Sequence, residues 1–131
     1  MQTISFNSNG GPISVTLSAG EAQTGSYEFR LWEANSNQII MQKQGNFLND
    51  QDDTYELPTP NAQNNGRLIQ GIIVIALLPP NDNYSAAMTV EQDGKTIGEV
   101  PISGSSSQPS VILNLYATLG TASNGVSGGT V

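Results

Sequence analysis

Apolar and polar residues alternate along most of this chain with a period of two. In "SYEFRLWE" (26–33), Tyr27, Phe29 and Leu31 fall on one side and Glu28, Arg30 and Trp32 on the other. That alternation describes a strand with one face in a core and the other in solvent. It recurs in "QTISF" (2–6), "ISVTLS" (13–18) and "SVILNLYATL" (110–119), while "QIIMQK" (38–43), "DTYELP" (53–58), "YSAAMTVEQ" (84–92) and "KTIGEVPI" (95–102) read as further short strands. Turn residues separate the runs. Asn9-Gly10-Gly11-Pro12 predicts a hairpin between the first two, Asn35-Ser36-Asn37 a short turn, and Asp93-Gly94 the strongest hairpin of the chain.

One run departs from the pattern. "IQGIIVIALLPP" (69–80) is apolar without interruption from Ile72 to Leu78, and Pro79-Pro80 ends it. A membrane-crossing helix needs about 20 apolar residues, so this run is too short to cross a bilayer as a helix. Ile72, Ile73, Val74 and Ile75 are β-branched and favour extended backbone. A continuous apolar strand bounded by Gly71 and Pro79 predicts a central strand covered on both faces. Arg67 marks its polar start.

No segment keeps a helical period, and short strands at regular spacing predict an all-β fold. The expected architecture is an antiparallel β-sandwich of about eight strands, immunoglobulin-like or of related Greek-key topology, with a jelly roll or C2-like sandwich second. The strand pattern resembles many bacterial immunoglobulin-like domains in architecture, with no residue motif behind the likeness. Residues 1–119 are expected to form the single domain, with loops over 44–66 and 103–110. "GTASNGVSGGTV" (120–131) has the composition of a linker or tail. Its docking on a neighbouring copy, by adding a strand to an open sheet edge, is the expectation.

Charge changes the picture next. Charged residues make up 11% of the chain, against about 25% in ordinary domains. Solubility then rests on Asn, Gln, Ser, Thr and Gly, and little charge opposes association with other proteins. Four Lys and Arg against eleven Asp and Glu give −7. The cations Arg30, Lys43, Arg67 and Lys95 are scattered, whereas a polyanion binder clusters them. Nucleic acid and anionic membranes are therefore excluded as expected partners. The chain has no cysteine and no histidine. Disulfides, thiol chemistry and the commonest general base and zinc ligand are absent with them. "MQTISFNSNGGP" lacks the basic and apolar regions of a secretory leader. A soluble protein is expected, cytoplasmic, or extracellular if a leader has been removed.

Two places carry candidate chemistry. "NDQDD" (49–53) gathers Asp50, Asp52 and Asp53, oxygen ligands of the kind calcium takes. Thr54 and the lack of a glycine depart from an EF-hand loop, so a solvated acidic turn is the competing reading. Trp32, the single tryptophan, shares its face with Arg30 and Glu28. An outward aromatic beside amides and charges suits a protein interface or a sugar platform, or it packs on its own domain. Pairs such as Glu28 with Glu33, or Asp52 with Glu56, could serve a glycosidase only in a shared cleft. No nucleophile elbow, Walker loop or dinucleotide fingerprint occurs. The expectation is a non-catalytic structural or interaction protein without cofactor, a self-assembling subunit of a surface, fibre or secretion-related assembly. The alternative is a carbohydrate-binding or calcium-dependent adhesive module.

Overall fold

The computed structural model describes residues 2–21, 23–47 and 53–122. Its strands are β1 (Thr3–Phe6), β2 (Ile13–Ala19), β3 (Thr24–Trp32), β4 (Ile39–Asn46), β5 (Asp53–Glu56), β6 (Leu68–Ala76), β7 (Asn83–Gln92), β8 (Lys95–Ser105) and β9 (Ser110–Thr121). A short 3-10 helix covers Asn61–Asn64. The strands form two sheets, a five-stranded one in the order β1-β9-β6-β3-β4 and a four-stranded one in the order β5-β2-β7-β8. The fold is all-β and sandwich-like, and it is not a barrel.

The period of two places the core. Phe29, Leu31, Ile69, Ile73 and Ile75 of the five-stranded sheet are fully buried, as are Ile13, Val15, Leu17, Met88 and Val90 of the four-stranded one. Each such side chain contributes about 1.5–3 kcal/mol by leaving water. The β7–β8 hairpin turns at Asp93 and Gly94, which both hold positive φ (54° and 75°), the backbone that a type I′ turn requires.

Several expectations are corrected. The apolar run 72–78 is not covered on both faces. In β6, Ile69, Ile73 and Ile75 face the core, while Ile72 is half-buried and Val74 and Ala76 are exposed. The strand is central in its sheet, between β9 and β3, but no element packs over its outer face among the described residues.

The first two strands do not make a hairpin, and the fold is not wholly antiparallel. β1 joins the five-stranded sheet, parallel to β9, while β2 joins the other sheet. The Asn-Gly-Gly-Pro segment carries the chain between sheets because side chains from the far end of β7 hold it. Gln92 Nε2 donates to the carbonyls of Asn7 (2.7 Å) and Gly11 (3.0 Å), and its Oε1 accepts from Asn7 N (2.9 Å). Asp93 Oδ1 accepts from Gly11 N at 3.0 Å. Gly98 on β8 leaves the space that Ile4 fills, since an added Cβ there would stand 2.6 Å from Ile4 Cγ1.

The last strand runs past 119. Gly120 and Thr121 belong to β9 and pair with Ser5 and Phe6. The part of the predicted tail beyond Ala122 lies outside the described residues. The expected loops are shortened: β4 runs to Asn46, β8 to Ser105, and the 3-10 helix sits within 44–66, while 57–60 and 106–109 are irregular.

Candidate functional site

The outer face of the five-stranded sheet holds most of the exposed aromatic and aliphatic surface. Its make-up follows from register. Trp32 lies beside Leu68, Arg30 beside Gln70, Glu28 beside Ile72 and Ser26 beside Val74. On the next strand these rows continue with Thr118, Tyr116, Asn114 and Ile112. Ile112 is 68% exposed and Tyr116 41%. An aliphatic patch at the Ile112 end therefore grades into an aromatic and amide-rich end at Trp32.

Trp32 is half-buried and held in place. Its Nε1 donates to Gln70 Oε1 at 2.9 Å, and the Arg30 guanidinium carbon stands 5.8 Å from the ring centroid. That distance allows a cation–π contact. The ring forms one wall of an open cleft of about 490 Å3, with Leu68, Gln70, Tyr116 and Thr118 along the sheet and Asn35–Asn37 at the rim. The rim is the β3–β4 turn, set by Asn35 at φ 51° and by Gln38 N donating to Ser36 Oγ (3.0 Å). A second depression of about 450 Å3 adjoins it over Glu28, Arg30, Gln44, Ile72 and Val74.

Arg30 faces this surface, as the sequence suggested, but much of its charge is spent on Glu28. Glu28 accepts hydrogen bonds from Gln44 (2.9 Å), Arg30 and Gln42 (2.8 Å). These bonds, that from Gln44 first, hold its carboxyl below the usual range. Glu33 and Arg67 form a two-pronged pair, Nε to Oε1 and Nη2 to Oε2, both 3.1 Å. The Arg67 bonds, then the Ala34 amide, lower the Glu33 carboxyl. Arg67 is buried and its Nη1 donates to buried Asn64 Oδ1 at 3.0 Å.

Both glutamates thus have folded pKa values below their unfolded ones. Between those values the unfolded chain binds more protons, so the stability they contribute is full above about pH 4.5 and falls as pH drops through the lowered folded values. Glu33→Gln is expected to melt below the parent at neutral pH, with the gap closing as pH falls towards about 3. Melts of the two proteins from pH 7 to 3 check this; a gap that is constant over the range contradicts the ion-pair assignment.

The acidic candidates are only partly placed. Asp50 and Asp52 lie outside the described residues. Asp53 opens β5, and its Oδ2 accepts from Tyr27 Oη at 2.5 Å, with Tyr55 Oη also against Tyr27 Oη. Burial, then the Asp53 bond, raises the Tyr27 phenol. Asp53 thereby joins two sheets through a tyrosine pair, and Tyr55 stacks on Phe29 with ring centroids 6.0 Å apart. Glu28 lies within β3 and Glu33 just past its end, and the two belong to different hydrogen-bond groups. No group of three metal-ligating side chains gathers among the described residues, and no helix there is long and apolar enough to cross a membrane.

Sequence reasoning missed the buried amides. Gln23 Nε2 donates to the carbonyls of Asn81 (2.9 Å) and Asn83 (3.0 Å), and its Oε1 accepts from Leu78 N (3.0 Å). Asn61 Nδ2 donates to the carbonyls of Gly10 and Gly11, and Asn64 Nδ2 to that of Pro58. Part of the amide content therefore anchors loops instead of serving solubility. No protein-family model, curated protein or solved structure matches the chain.

Proposed function

We propose that this chain is a non-catalytic structural protein that associates with copies of itself, as a subunit of a surface, fibre or secretion-related assembly. One observation carries the reading: the outer face of the five-stranded sheet presents Trp32, Leu68, Ile72, Val74, Ile112 and Tyr116 in adjacent register rows. Contiguous apolar surface of this kind marks contact sites on proteins. The surface is weakly charged, and its Arg30 and Glu28 neutralise each other, so a second copy meets no net repulsion there. A Greek-key, immunoglobulin-like topology remains the architectural part of this reading; the parallel pairing of β1 with β9 and the two-sheet order support it. Light scattering across a concentration series tests association. A mass that rises above 13.8 kDa agrees with it, and a monomer at every concentration refutes it.

The Trp32 cleft favours a second reading, a carbohydrate-binding module. Two aromatics and the side chains of Asn35, Ser36, Asn37, Gln70 and Thr118 line it, a set that stacks on sugar faces and bonds hydroxyls. Its calcium-dependent form would draw on Asp50, Asp52 and Asp53. Glycan-array binding in calcium and in chelator checks both forms. Trp32→Ala is expected to reduce any signal by tenfold or more, on the order of one lost stacking contact with its bonds. Binding that survives the substitution places the sugar elsewhere.

A further inference from the structure

The side of β9 away from β6 is covered along only part of its length. β9 runs from Ser110 to Thr121, but β1 pairs with it only at Thr118–Thr121. Thr118 N donates to Gln2 O (2.9 Å) and Ala122 N to Phe6 O (2.8 Å), whereas Leu119 N donates to Arg67 O (2.8 Å). Even-numbered amides thus point towards β1 and odd-numbered ones towards β6. Carried along the strand by its period of two, Ile112, Asn114 and Tyr116 aim their N–H and C=O groups past the end of β1. No strand pairs them there among the described residues.

Every other sheet edge carries a recognised block against further pairing. β1 and β5 have four residues each, and β5 holds Asp53 and Glu56. β4 carries Lys43, and its ladder with β3 is bulged at Leu31/Trp32. β8 carries Lys95, Glu99 and Pro101. The segment 110–117, "SVILNLYA", has no charge, proline or glycine, and Ile112 is exposed at its middle.

We infer that the open edge of β9, residues 110–117, pairs antiparallel with the same edge of a second copy, joining two five-stranded sheets into one. This deepens the self-association reading and rests on it. The edge is stepped, open along 110–117 and closed by β1 beyond. Two copies related by a two-fold axis bring equal open segments together, each filling the gap beside the other's β1, in an isologous contact. The chain carries −7, yet this edge meets itself without a charged side chain on either strand. The Val74–Ile112 rows of the two copies then become one apolar surface.

Asn114→Pro removes an edge N–H without touching the ladder to β6, and Ile112→Lys sets a charge on the edge. Light scattering of both variants beside the full chain is the test, with melts to confirm folding. Each variant is expected to raise the dimer dissociation constant about tenfold or more, with a melting temperature close to that of the parent monomer. Truncation after Ala122 is expected to leave the dimer intact. If both folded variants associate as the parent does, the edge is not the contact, though self-association stands. If the truncated chain alone loses the dimer, residues 123–131 are the occupant and β9 pairing is wrong. If the full chain never associates, both readings fall together.

Discussion

Ile73→Asp and Ile75→Asp are each expected to abolish folding, while Val74→Asp, between them, leaves it intact. Ile73 and Ile75 are fully buried among the residues of both sheets, and Val74 is 36% exposed on the outer face. A carboxylate in the first two positions has no partner and no water, at a cost of several kcal/mol. That is comparable with the whole stability of a domain of this size. At Val74 the same carboxylate stays hydrated, and the expected change is within about 1 kcal/mol. Circular dichroism and thermal melts of the three variants check the alternation directly. Equal loss in all three would mean that both faces of β6 are covered, as the unbroken apolar run suggested.

The second large effect is expected at Gln92. Its side chain makes three hydrogen bonds to the backbone that carries the chain from β1 to β2. Gln92→Leu keeps the volume and removes all three; Gly11 O keeps its bond from Asn61 Nδ2 and Asn7 O its bond from Gly10 N, so Asn7 N is the group left to find another partner. The expected loss is about 2–3 kcal/mol, or a melting point lower by roughly 10 °C. Gln63→Leu, at an exposed amide with no such bonds, is the control and is expected to change the melt by less than about 2 °C. Equal effects at the two sites would mean that the crossing is held by something other than Gln92.

These two predictions also show where sequence reading succeeds and where it stops. The parity of Tyr27, Phe29 and Leu31 against Glu28, Arg30 and Trp32 was legible because a strand turns every second side chain to the same face. The Asp93-Gly94 turn was legible because few residue pairs accept two positive φ values. The covering of β6 was misread because an apolar side chain at position 72 or 74 looks the same whether a layer lies over it or solvent does. The β1–β2 crossing was misread because its partners, Gln92 and Asp93, are more than eighty residues away in the chain, and local turn signals carry no such information. Trp32 and Arg30 lie on the face opposite Phe29 and Leu31, as their parity requires. Tyr116, Gln70 and the Asn35–Asn37 rim, which make the cleft with Trp32, come from other strands and a turn, and only register assembles them.

The account's central claim is that copies meet through the five-stranded sheet. Backbone amide NMR spectra over a dilution series test it most directly. The predicted result is that shifts change with concentration at Ile112, Asn114, Tyr116 and the outward residues of β6, while β2 and β7 of the other sheet stay still. Concentration-dependent shifts confined to the four-stranded sheet, or none at any concentration, would contradict it.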